Sequence, residues 1–221
     1  MSAGRPLAVL FDWDNTLVDN WGSVRAALNA ALVEFGMEPW TIEETRARVR
    51  RSLRETFPEM FGEDWKRARD IFYRTFEAEH LATLRALDGA EATLAELSRD
   101  AVLGVVSNKQ GTLLRREAEA LGWTRHFHRL VGATDAVRDK PDPAPVEMAL
   151  EGISLPQNAM IWFVGDTALD MHAAHASGCV PVLFGKDELD QAALMRYPPA
   201  IHVQNHSELL DTWRGLQSNR K

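Results

Sequence analysis

The hydrophobic positions along the chain fall into two kinds of pattern. Five short runs, rich in β-branched and aromatic residues, are apolar without alternation: LAVLFDW (7–13), AVLGVVSN (101–108), RLVGA (129–133), MIWFVGD (160–166) and VPVLFG (180–185). Continuous apolar runs of this length read as parallel strands covered on both faces. AIHVQ (200–204) is a weaker sixth candidate. Helical periodicity fills most of the intervals between them, near 89–99, 112–122, 144–151 and 168–177. Strands alternating with helices predict a parallel α/β sheet.

One interval departs from this alternation. Residues 18–87 hold no convincing strand and read as three helices, near 22–35, 41–56 and 63–86. Gly36 and Pro39 punctuate the first gap, Pro58 and Gly62 the second. A crossover in such a fold needs far fewer residues. Residues 18–87 are therefore expected to form an inserted helical subdomain, with Leu17–Asp19 and Leu87–Gly89 as hinges. Residues 1–17 and 88–221 then make the α/β core. The aromatics of IFYRTF (71–76) have helical spacing and fit the insertion's own core.

The composition narrows the setting. The chain has 221 residues, 45% of them hydrophobic, enough for one large domain or a core with an insertion. With 25 basic against 32 acidic residues and a net charge of −7, it lacks the clustered basic footprint of a nucleic-acid binder. Cys179 is the single cysteine, so no internal disulfide can form. No apolar stretch reaches the length of a membrane span, and PLAVLF is too short for a signal-peptide core. These features predict a soluble, cytoplasmic protein with no nucleic-acid or membrane partner; they say nothing of oligomeric state.

The strand ends carry the candidate chemistry. The first ends in Asp12 and Asp14, the second in Ser107 and Asn108, and the fourth in GDTALD with Asp166 and Asp170. After the third comes DKPDPAP, with Lys140. Asx-turn chemistry would explain one such cluster but not four. Ligands of open α/β sheets bind outside the carboxyl ends of the strands, where these groups converge. Carboxylates gathered at one point need a cation. The motifs offer hard oxygen donors and no His or Cys, so Mg²⁺ is the expected ion. Lysine, hydroxyls and an amide beside it suit a phosphoryl group. An aspartate carboxylate can itself attack phosphorus, and a second can protonate the leaving oxygen and later activate water.

In order and spacing, FDWDNTLVD, VVSNK, DKPDPAP and GDTALDM resemble the four motifs of the haloacid dehalogenase superfamily. Within it they are similar to phosphoglycolate phosphatase-like phosphatases. The resemblance implies a Rossmann-like core with an inserted helical cap that closes the site and selects the substrate. It implies Asp12 as nucleophile and Asp14 as general acid and base. Thr16, Ser107 and Lys140 would hold the phosphoryl group, with Asn108 supporting or contacting it. Mg²⁺ would take the Asp12 carboxylate, the Asp14 backbone carbonyl and Asp166, with Asp170 outside them or reaching the metal through water. Asn15 stands where many relatives have Gly, and Asn tolerates the left-handed conformation such a turn needs. The expected activity is Mg²⁺-dependent hydrolysis of a small phosphorylated metabolite through an aspartyl phosphate. The alternatives are a phosphoglucomutase-like phosphomutase using the same residues, or a binding protein that kept the fold without catalysis.

Some features stand apart from the motifs. Arg46, Arg48, Arg50, Arg51 and Arg54 crowd one segment beside Ile42, Val49 and Leu53. They could meet a second anionic group of the substrate. A solvated face balanced by Glu43, Glu44 and Glu55 is the simpler reading. His172 and His175 lie one turn apart but have no third nitrogen or sulfur ligand near them, which argues against zinc.

Overall fold

The computed structural model describes residues 5–49, 53–185 and 191–218. The chain divides into two compact units, one of residues 1–18 and 86–221 and the other of Asp19–Arg85. It opens with β1 (Ala8–Phe11), whose four residues are all buried, and passes into the second unit through the two-residue strand β2 (Val18–Asp19).

The second unit is helical: α1 (Trp21–Glu34), α2 (Ile42–Arg48), α3 (Leu53–Phe61) and α4 (Trp65–Thr83). Its core is a set of aromatic contacts. Phe57 meets Phe61 and Phe72 edge-on, and Phe72 stacks on Phe76. Ala27, Leu28, Ala31 and Leu32 of α1 are fully buried in the same unit. Ile71, Phe72 and Phe76 are buried as their spacing implies, whereas Tyr73 of the same run is exposed.

The single helix expected over 41–56 is two helices. Thr41 starts α2 with a capping box, its side chain accepting from Glu44 N while Glu44 accepts from Thr41 N. The helix stops at Val49, which has ψ 79°. Pro58, read as punctuation, lies inside α3. It removes one helical hydrogen bond, and the buried rings of Phe57 and Phe61 on either side outweigh that loss. Arg50 and Arg51 lie outside the described residues. The side chain of Arg48 pairs with Glu44, and Arg46 with Asp19, in exposed ion pairs.

The chain returns through β3 (Arg85–Ala86), which pairs with β2. It then alternates through α5 (Ala90–Leu97), β4 (Val102–Gln110), α6 (Gly111–Ala120), β5 (Arg129–Ala133), α7 (Ala144–Leu150), β6 (Ile161–Gly165), α8 (Ala168–Ala176), β7 (Val180–Phe184), α9 (Gln191–Arg196), β8 (Ile201–Val203) and α10 (His206–Ser218). The larger sheet has six strands in the order β5-β4-β1-β6-β7-β8, all paired parallel. β1 sits between β4 and β6, with Ala8 level with both Val102 and Ile161. This is an α/β sheet of the Rossmann order. The chain winds outward from β1 on one side, then returns and winds outward on the other, and the reversal lies at β1 and β6.

Both faces of the sheet are covered. Trp162 of β6 is buried and meets Trp213 of α10 edge-on at 5.9 Å. Leu209 and Leu210 complete the apolar face of α10, a helix the strand-centred reading of the sequence had not placed. Full burial of side chains this large contributes on the order of 1.5–3 kcal/mol each. Among the described residues no helix is long and apolar enough to cross a membrane.

Candidate active site

The turn after β1 carries Asp12, Asp14 and Thr16. Its shape depends on Asn15, which sits in the left-handed region at φ 59° and donates its N–H to Val18 O at 2.7 Å. Short polar side chains tolerate that conformation and bulky ones do not. Trp13 points into the core, fully buried and edge-on to Trp123 and Phe127. The alternation at the strand end thus buries an anchor between two aspartates.

The turn after β6 brings Asp166 and Asp170 to the same place. Asp166, Asp170 and Asp12 each offer a carboxylate oxygen within 4.8 Å of the others. Gly165 makes this possible: a Cβ there would lie 2.4 Å from the Asp170 side chain. Asp170 is also the third residue of the α8 cap. Its Oδ2 accepts from Thr167 N at 3.0 Å and from Thr167 Oγ1 at 2.6 Å. Its Oδ1 accepts from Lys140 Nζ at 2.6 Å, and the same Nζ donates to Asp12 Oδ1 at 2.7 Å.

Lys140 is held by its backbone. Asn108 Nδ2 donates to Lys140 O at 3.1 Å, and Lys140 N donates to Asn108 Oδ1 at 3.0 Å. The Asn108 amide therefore clasps the peptide that carries the lysine. Ser107 is buried in the last half of β4, and its Oγ accepts from Lys109 N at 3.3 Å. Thr16 is fully buried, with its Oγ1 3.4 Å from Asp166 Oδ1. The eight candidate residues from four strand ends thus lie in one unit, and Asp12, Lys140, Asp166 and Asp170 meet directly.

The electrostatics of this cluster favour a cation. Burial pushes the Asp12 carboxyl up to about 6; Lys140 opposes the rise, while Asp170 and Asp14 add to it. Burial also holds Asp166 well above the carboxylate range, reinforced by Asp12 and Asp170. Burial alone would lower the Lys140 pKa, but Asp12 and Asp170 drive it above its ordinary value. One ammonium against three carboxylates leaves the ionised cluster two positive charges short. A divalent cation with oxygen ligands matches that deficit and that donor set.

Two participants escaped the sequence reading. Lys109 is buried, and its Nζ donates to Asp14 Oδ1 at 2.7 Å and to Glu117 Oε2 at 2.6 Å. Trp13 Nε1 donates to that same Glu117 oxygen at 2.6 Å. Burial would depress the Lys109 pKa, but the Asp14 and Glu117 carboxylates hold it above its usual value. The signal was present. Lys109 lies two residues beyond Ser107, on the same face of β4, and Glu117 interrupts the buried Leu113–Leu114–Ala118 face of α6.

A family model described as haloacid dehalogenase-like hydrolase matches residues 9–183, which include every one of these side chains. The chain belongs to that family. Among the relatives of this haloacid dehalogenase-like hydrolase is the phosphoglycolate phosphatase of Photorhabdus laumondii. It is 28% identical over 216 residues, covering 93% of this chain and 91% of that protein. The phosphoglycolate phosphatase of Xylella fastidiosa is 33% identical over 178 residues, 78% of this chain and 77% of that one. Among solved structures, a haloacid dehalogenase-like family hydrolase from Streptococcus pneumoniae superposes with a TM-score of 0.82 at 21% identity, over 96% of this chain and all of that one. A haloacid dehalogenase-superfamily hydrolase from Ehrlichia chaffeensis gives 0.67 at 24% identity, over 98% of this chain and all of that one. The chain is therefore an enzyme of this family, similar to phosphoglycolate phosphatases.

Proposed function

We propose that this hydrolase is a Mg²⁺-dependent phosphatase of small phosphomonoesters, working through an aspartyl phosphate on Asp12. The observation that carries the reading is the meeting of Asp12, Lys140 and Asp166 at the β1–β6 reversal of the sheet. Asp12 is 7% exposed, within reach of a ligand yet largely withdrawn from water. Asp14, with its side chain 31% exposed, is open to a leaving group.

In the first step a carboxylate oxygen of Asp12 attacks phosphorus and the ester P–O bond breaks. The leaving oxygen takes a proton from the Asp14 carboxyl. In the second, water attacks the phosphorus and gives its proton to the Asp14 carboxylate. The Asp12–phosphorus bond breaks and inorganic phosphate leaves. Lys140, Ser107 and Thr16 hold the phosphoryl oxygens, and Asn108 keeps Lys140 aimed. Asp12, Asp166 and the Asp14 carbonyl would hold Mg²⁺, which supplies positive charge beside the phosphoryl group. Asp170, with both oxygens engaged by Lys140 and Thr167, orients the lysine. The names of the relatives point to a substrate of the phosphoglycolate kind, a phosphate ester on a short carboxylate.

The test separates the two aspartates of the first motif. Mixed rapidly with an aryl phosphate, whose leaving group needs no proton, Asp14→Asn should release about one equivalent and then stall. Its intact mass should show the added phosphate. Asp12→Asn should give no burst. If neither wild type nor Asp14→Asn ever carries phosphate, and solvent oxygen enters the product in one direct step, Asp12 is not the nucleophile.

A further inference from the structure

The two aspartates of the first motif each have a lysine of their own. Asp12 pairs with Lys140 and Asp14 with Lys109, both at 2.7 Å. The second pair belongs to a closed circuit. Trp13 donates to Glu117, Glu117 accepts from Lys109, Lys109 donates to Asp14, and Asp14 is joined to Trp13 by a peptide bond. Glu117 is 0% and the Lys109 side chain 4% exposed, so the circuit is out of water except at Asp14. A buried carboxylate and ammonium are expensive to keep unless their arrangement serves a purpose.

We propose that Lys109 is a positioning residue for Asp14, fixed in turn by Glu117 and Trp13. The circuit restrains the Asp14 backbone through the buried indole and its carboxylate through the ammonium. The aspartate that must donate and then recover a proton is thereby held at one spot. Trp13, wedged between the two catalytic candidates, acquires a reason beyond packing. This rests on the acid–base reading of Asp14 given above.

The experiment is a double-mutant cycle. Lys109→Met takes the ammonium from the buried Glu117 carboxylate, so it is accompanied by Lys109→Met/Glu117→Gln, which removes both buried charges and leaves Trp13 an acceptor. Either should lower steady turnover about 10²-fold, the cost of misplacing a reacting group by about 1 Å. The first-turnover burst with p-nitrophenyl phosphate should survive, because that leaving group needs no proton. Placed on Asp14→Asn, neither change should lower turnover further. A loss that multiplies that of Asp14→Asn would show a general structural effect and overturn the proposal. So would wild-type turnover in Lys109→Met/Glu117→Gln, or failure of that variant to fold. Wild-type turnover in Asp14→Asn would instead remove the acid–base role of Asp14 itself, and the role of Lys109 with it.

Discussion

At the scale of the residue, Asp12 is a carboxylate kept where it does not ionise easily. Its folded pKa, about 6, is above the ordinary value of 3.8, chiefly through burial. A raised folded pKa means that the protonated form is favoured by folding. That contribution is complete below pH 4 and is lost as pH rises through about 6. Asp12→Asn should therefore melt higher than wild type at pH 8 in the absence of metal, and show no such advantage at pH 4. A shift of this size corresponds to about 3 kcal/mol. Thermal melts of both proteins in chelator check it, and equal melting at pH 8 would contradict it. Lys140 carries the compensating charge, and Lys140→Ala should lower kcat by about 10²–10³, as losing one such electrostatic contact does. Near-normal kcat in a folded Lys140→Ala protein would reduce DKPDP to a helix-starting turn.

At the scale of the element, the site is a property of strand ends. β1 delivers Asp12 and β6 delivers Asp166, adjacent strands whose turns face one another because the sheet order reverses there. A metal ion held by these two raised carboxylates would compete with protons for them. Mg²⁺ affinity, followed by calorimetric titration, should be weaker at pH 5 than at pH 7.5, with protons released on binding. Turnover should vanish in excess EDTA and return with Mg²⁺, and poorly with Ca²⁺, whose looser coordination misplaces a nucleophile. Full activity in EDTA would exclude the metal reading. Element boundaries were legible where apolar runs were long: the expectation for 129–133 coincides with β5. They were less legible where local signals conflicted. Pro58 reads as a break by its chemistry, and only the rings packed around it keep α3 continuous.

At the scale of the whole molecule, every candidate site residue lies in the α/β unit, while Asp19–Arg85 forms a compact unit of its own. Selectivity among phosphate esters is then expected to reside in the helical unit. Replacing residues 20–86 with a short linker should leave hydrolysis of p-nitrophenyl phosphate while flattening the preference among natural esters. A panel of esters assayed on both forms would decide, and an unchanged preference in the shortened protein would place specificity in the sheet unit.

The sequence by itself determined the parallel α/β sheet; the helical insertion over 18–87 and a site shared by Asp12, Asp14, Thr16, Ser107, Asn108, Lys140, Asp166 and Asp170 were its expectations. Those follow from local causes: unbroken apolar runs, their length, and polar residues at their ends. Only the tertiary structure decided the pairings inside that site. It matched Lys140 to Asp12 and Asp170, gave the Asn108 amide to the Lys140 backbone, and made Asp170 both a helix cap and a lysine partner. Lys109 and Glu117 belong to the same class. Their spacing places Lys109 on the face of Ser107 and Glu117 among apolar positions of α6, but only the fold joins them to each other, to Asp14 and to Trp13. Sequence spacing records which face a side chain occupies; which opposite charge it meets there depends on residues as far off as Asp14 is from Lys109, 95 positions, that only packing brings together.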